Sequence, residues 1–268
     1  MKRKYWMLTA ALLGSAAIAS AQAPNGCGNL PDNVQLKKAL VAARAAENSG
    51  LNAQEWAVIV DRDGVVCAVA FSGNDRTTQM NIGRVSAAMR ANTANAFAFD
   101  SNSSSNGAGF PGGLALSTAN LYSATQPGGF VAALPYNFPV NNAAVFGGAA
   151  SAFGQWNDPM LGQRIGGFTA VGGGLALSGT GQVAFGGIGV AGDHACTDHD
   201  IAWRTRSLLG LDHLAGFPPL SGDPARPDNI VYDITANSAG GIGISASGLG
   251  HPKCPNMGEP GKLPAVRN

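Results

Sequence analysis

Trp56-Ala57-Val58-Ile59-Val60-Asp61-Arg62-Asp63-Gly64-Val65-Val66-Cys67-Ala68-Val69-Ala70-Phe71 reads as a β-hairpin. Two runs rich in β-branched residues flank an Asp-Gly pair, the sequence that favours a tight turn between antiparallel strands. Upstream, Asp32 or Asn33 caps a helix whose apolar stripe is Val34, Leu36, Ala39, Leu40 and Ala43, and Gly50 suits the left-handed position after it. Downstream of Gly73-Asn74-Asp75, a second helix is predicted from about Met80 to Phe99, with Ile82, Val85, Met89 and Ala96 on one face.

Ser101–Gly113 is Ser-, Asn- and Gly-rich and reads as loop. It opens an insertion of about residues 100–165 that holds Gly, Pro and aromatics but almost no charge. A structureless loop of that length is unusual in a compact domain, so short helices or strands are expected inside it. A second hairpin follows, Phe168–Leu177 and Val183–Val190 around Ser178-Gly179-Thr180-Gly181. A helix from about Asp198 to Leu209 stops at Gly210. The tail, about 216–268, is Pro- and Gly-rich, with one plausible strand at Asn229–Ile234. The order α-β-β-α, insertion, β-β-α, tail predicts an α+β fold, an antiparallel sheet with helices packed on it. A doubly wound parallel sheet needs single strands alternating with helices, which this chain lacks.

The first residues predict export. Lys2, Arg3 and Lys4 precede an apolar stretch containing Trp6, Met7, Leu8, Leu12, Leu13 and Ile18, and overlapping A-x-A signals end at Ala21 and Ala23. Cleavage after Ala21 is favoured, because the later cut would place Pro24 next to the scissile bond. Residues 1–21 are thus a signal peptide and 22–268 a single domain, periplasmic or secreted and free of the membrane. Removing Lys2, Arg3 and Lys4 moves the net charge from +1 to −2, too weak and mixed for a nucleic-acid partner. Cys27, Cys67, Cys196 and Cys254 all lie in the mature part, where an oxidising compartment lets disulfides persist. Stapling each tail to the core would pair Cys27 with Cys67 and Cys196 with Cys254; three connectivities remain open from sequence.

Asp193-His194-Ala195-Cys196-Thr197-Asp198-His199-Asp200 is the densest polar cluster. Imidazole and carboxylate are metal-binding groups, which makes His194 and His199 candidate metal ligands and Asp193 and Asp198 candidate ligand contacts. The competing reading is structural: Thr197 and Asp200 stand at capping-box spacing at a helix start. Arg84, Arg90, Asn92 and Asn95 crowd one helix and are candidate contacts to a ligand carboxylate, with only one of the two arginines expected to face a pocket. Gly187-Ile188-Gly189-Val190-Ala191-Gly192 matches a dinucleotide fingerprint, but inside a predicted strand it indicates close backbone packing instead. No nucleophile elbow, zinc-protease motif or P-loop is present. His213 and His251 read as isolated surface or tail residues.

The first hairpin, the helix segment Gly83-Arg84-Val85-Ser86-Ala87-Ala88-Met89-Arg90-Ala91-Asn92-Thr93-Ala94-Asn95-Ala96-Phe97 and Gly187–Asp193 together resemble the haem-binding or haem-degrading family typified by GlcG and HbpS. Leu116-Ser117-Thr118-Ala119-Asn120-Leu121-Tyr122 and Gln126-Pro127-Gly128-Gly129 mark a long, exported branch. The resemblance spans roughly residues 30–215. It implies a profilin-like central sheet, homo-oligomers, and haem or a related small-molecule ligand near the helices. The chain departs from that family at Arg90, where a lysine is usual, and at Met80-Asn81-Ile82-Gly83, where the branch carries Trp-Pro-Gly. The expected function is an exported haem-binding or related small-ligand-binding protein. The alternatives are a periplasmic enzyme using Asp193, Asp198, His194 or His199 as proton carriers, and a self-assembling structural module.

Overall fold

A computed structural model describes residues 26–100, 112–241 and 243–268; the signal-peptide expectation lies outside these residues. The helices are α1 (Asn33–Ala45), α2 (Gly83–Ala96), α3 (Tyr122–Thr125), α4 (Asn142–Phe146) and α5 (Ala195–Leu208). The strands are β1 (Trp56–Asp61), β2 (Val66–Phe71), β3 (Ala98–Phe99), β4 (Leu114–Ala115), β5 (Gly174–Gly179), β6 (Val183–Ala191), β7 (Ile234–Thr235) and β8 (Ile244–Ser245). Four of them build one antiparallel sheet in the order β2-β1-β6-β5. The fold is α+β, an antiparallel sheet flanked by helices.

Each hairpin strand is buried on both faces, which explains why β1 and β2 read as nearly continuous apolar runs. Ala57 and Ile59 point to one side, where Leu36 and Leu40 of α1 and Ile201 and Trp203 of α5 close the core. Trp56, Val58 and Val60 point to the other, against Ala87, Ala88 and Ala91 of α2 and Val145, Met160 and Ile165 of the insertion. A register shift between Ile59 and Val60 leaves Cys67 as the extra residue of a bulge, and Cys67 is bonded to Cys27. The second disulfide joins Cys196 to Cys254. Sequence had left the pairing open; both tails are tied to the core.

Several boundaries differ from expectation. Helix α1 starts with a capping box between Asp32 and Gln35. Helix α5 begins at Ala195, ahead of the predicted Asp198, and neither Thr197 nor Asp200 caps it. Thr197 is hydrogen-bonded to Ser49 instead, at 3.0 Å. The expected strand at Asn229–Ile234 reduces to its last residue, in the short β7–β8 pair. Within the insertion, α3, α4 and short 3-10 turns form as expected, and its end covers the sheet edge. The Val66 N–H donates to Gln163 O and the Gly162 N–H to Val66 O, both at 2.9 Å, which blunts an otherwise open edge strand.

The glycines of Gly187–Gly192 serve close packing. A Cβ on Gly187 would lie 2.3 Å from Ala91 O, and one on Gly189 2.0 Å from Ala87 O. Helix α2 lies directly on the backbone of β6. Among the described residues, no helix is long and apolar enough to cross a membrane.

Candidate functional site

The polar cluster at the start of α5 is turned inward. Asp198 is fully buried and its Oδ1 accepts the N–H groups of Gly192 (3.1 Å) and Asp193 (2.8 Å), while Oδ2 meets Arg90. The carboxylate thus fixes the turn from β6 into α5 from within the helix's first turn. Asp193 holds the neighbouring loop: its carboxylate accepts Leu51 N–H at 2.8 and 2.9 Å and Ala53 N–H at 3.0 Å. Arg90 also donates to Val190 O. Arg84 is paired bidentately with Asp158 at 2.6 Å for each bond, and Asn95 contacts Arg62. Neither arginine faces a pocket, contrary to the expectation that one would. Each instead ties α2 to another element.

Glu55, which sequence reading passed over, lies against this cluster. It is fully buried, and no N–H or O–H donor serves either carboxyl oxygen. Burial foremost, then the neighbouring Asp198 carboxylate, holds its carboxyl well above the usual range. A proton on Glu55 would let its carboxyl donate towards Asp198, easing the repulsion between the two acids. Asp198 is itself raised by burial, against the pull of Arg90.

The two candidate metal-binding histidines have different surroundings. His194 stands at the N-cap of α5, half-buried, with Nδ1 3.9 Å from Asp193. His199 is fully buried; its Nε2 lies 3.1 Å from Asn229 Oδ1 and 3.2 Å from the Ile230 nitrogen. Burial lowers its pKa to about 3, so the ring is neutral. His251, expected as a surface or tail residue, lies in the tail and is buried too. Its Nδ1 lies 2.7 Å from Pro252 O, and burial lowers its pKa to about 4.

A hollow lies elsewhere, at the C-terminal end of α2. Ala96, Phe97, Phe99, Leu114, Leu116, Phe130, Leu220 and Leu249 wall a space of about 410 Å³. Its lining side chains carry no nitrogen or oxygen. A recess of about 140 Å³ shares Ala96 and Phe97 with it and adds Asn92, Thr93, Leu134, Phe138, Gly167 and Phe168. Of the eight sequence-predicted site residues, Asn92 alone lines either space, and its Nδ2 already donates to Gly167 O at 2.8 Å. Haem needs an axial ligand for its iron and prefers cations for its propionates. Among the described residues the hollow offers neither, and His194 and His199 do not line it.

No family model and no curated protein matches this chain. Among solved structures, a PduOC–haem complex is similar with a TM-score of 0.42 and 18% identity, over 67% of this chain and 93% of that one. Protein ORFY of Klebsiella pneumoniae gives 0.40 and 20%, over 66% and 87%. A doubly substituted HbpS of Streptomyces reticuli gives 0.35 and 17%, over 77% and 99%.

One further carboxylate has a measurable consequence. Asp200 of α5 is buried beside Glu47, and burial followed by that neighbour raises its pKa to about 7, against the pull of Arg204. The folded protein therefore keeps a proton on Asp200 between about pH 4 and 7 that the unfolded chain has released, and the contribution of Asp200 to stability falls as pH rises through that window. His199 and His251 act oppositely: with folded values of about 3 and about 4 against 6.5 unfolded, they add stability as pH rises towards 6.5. Replacing Asp200 with Asn is expected to gain progressively on the parent from about pH 4 to 7, reaching about 4 kcal/mol (about three pH units at about 1.4 kcal/mol each), with no further gain above. Urea unfolding of both proteins across that range checks it; a constant difference counts against the assignment.

Proposed function

We propose that this chain is an exported, single-domain binding protein for a small, largely apolar organic molecule, held in the hollow at the end of α2. The observation that carries the reading is the wall of that hollow, whose described residues are all Ala, Phe and Leu around about 410 Å³. Ligand pockets are concave, mostly apolar and of about 300–1,000 Å³. Phe130 lies 68% exposed at its rim, an arrangement that costs the free protein contact with water and that a ligand relieves. Export is supported by the leader-like first residues and by the two disulfides. The sequence resemblance to a haem-binding family agrees with a small-molecule ligand, and the hollow's chemistry favours the apolar part of that class.

Titration with N-phenyl-1-naphthylamine, a neutral apolar fluorophore, tests the reading. Saturable, blue-shifted emission is expected at one site per chain. Leu220→Glu and Leu249→Glu each place a carboxylate on the wall and should weaken binding by at least about tenfold, since an unpaired charge is costly to desolvate. Absent fluorescence enhancement, or enhancement indifferent to both substitutions, sinks the proposal. A parallel hemin titration separates the alternative: a saturable Soret shift lost in His194→Ala or His199→Ala, but kept in Leu249→Glu, favours ligation of haem by histidine.

A further inference from the structure

A second recess lies on the far side of the Arg84–Asp158 pair and shares no wall with the hollow. It holds about 480 Å³ between α1, the end of β2, the turn that follows β2, and the insertion. Its floor is aromatic. Phe153 lies over the Arg84 guanidinium, 4.0 Å from ring centre to Cζ, and Phe71 packs on Trp56 with ring centres 4.8 Å apart. Arg84 also lies 5.3 Å from the centre of the Trp56 ring. The two phenylalanines therefore stack on a buried, hydrogen-bonded base and cannot fold away. Gly73 follows closely over the Phe71 ring: a Cβ there would lie 2.7 Å from Phe71 Cε1.

The rim is cationic. Lys37 of α1 and Arg76 of the turn both line the recess. Among the described residues, neither lies within ion-pair distance of a carboxylate. Asp75, the one acid in the lining, is turned into its own loop, where its carboxylate accepts the Thr77 N–H at 2.9 Å. That hydrogen bond is the first cause that holds its carboxyl below the ordinary range. Asn74, Thr77, Ser151 and Gln155 add neutral polar side chains to the lining. A rigid aromatic floor beneath Lys37 and Arg76, whose charges outnumber that of Asp75 beside them, is complementary to one ligand chemistry: a flat ring that carries a negative group.

We infer that this recess is a second binding site, for a small aromatic carboxylate whose ring rests on the half-buried Phe153, beside the buried Phe71, and whose carboxylate meets Lys37 and Arg76. The inference is independent of the hollow at the end of α2. Isothermal titration of the full mature protein with benzoate at low salt tests it. One site with a Kd on the order of 1 mM or tighter is expected, weakening as salt screens the cations. Benzyl alcohol, the same ring without charge, should bind at least about tenfold more weakly, as should benzoate to the Lys37→Gln/Arg76→Gln variant, given the strength of charge-assisted contacts. Both substituted positions contact solvent, so the unfolding midpoint of the variant should equal the parent's. Leu249→Glu should leave benzoate binding unchanged. No benzoate heat at about 10 mM overturns the inference; so does equal affinity for benzyl alcohol or inorganic phosphate, or undiminished binding by the double variant.

Discussion

Replacing Gly189 with alanine is expected to cost more than about 3 kcal/mol, at the upper end of or beyond the usual range for an overpacked core. Overpacking is usually relieved when a flexible side chain moves. Here the added Cβ would lie 2.0 Å from Ala87 O and 2.5 Å from Ala91 N, both in the backbone of α2. The only relief is to lift the helix from the sheet. Lifting it opens the packing of Ala87, Ala88 and Ala91 and draws Arg90 away from Asp198. Gly187→Ala meets the same helix one turn on, at Ala91 O and Asn95 N, so the double variant should fail to reach the folded state. Gly261→Ala is the control: a Cβ there meets nothing within 4 Å, and a change within about 0.5 kcal/mol is expected. Urea unfolding monitored by near-ultraviolet dichroism reads all three. A Gly189→Ala loss below about 1 kcal/mol would show that α2 does not bear on β6 in this way.

The same contact shows which features were readable from sequence. The hairpins and main helices were legible because their signals are local: an Asp-Gly turn between β-branched runs, an apolar stripe, and glycines inside a strand. The roles of Arg84 and Arg90 were not. Their partners are Asp158 and Asp198, 74 and 108 residues away, and no local pattern distinguishes an arginine destined for a buried pair from one facing a ligand. His251 illustrates the same limit. It is buried beside Gly172 and Tyr122 because the tail folds back over the core, whereas in sequence it stands alone among Gly and Pro. The hollow was hidden for a related reason. Its walls come from α2, β3, β4, the insertion and two separate stretches of tail, and each contributes only one or two apolar residues. The charge-poor, aromatic character of the insertion was the one signal, and composition alone does not distinguish packed core from a cavity wall.

Asp228→Ala is expected to destabilise the protein by about 3–5 kcal/mol, the cost of leaving a buried charge unpaired. Arg206 of α5 is fully buried, and its guanidinium donates to both Asp228 oxygens, at 2.5 and 3.0 Å. One nitrogen also reaches Ala176 O at 3.2 Å, and the group stacks on Trp203 at 4.4 Å. Asp228 belongs to the tail, so this pair fastens residues otherwise poor in apolar side chains to the core. Without Asp228 the guanidinium stays buried with no counter-charge. Replacing the pair with apolar residues, as Arg206→Leu/Asp228→Leu, removes the buried charge along with its partner and should recover most of the loss. Equal destabilisation in the single and double variants would place the cost in lost tail packing. A single-variant loss below about 1 kcal/mol would mean that water reaches Arg206, and that the tail is held by Cys254 and by Leu263 in the core rather than by charge.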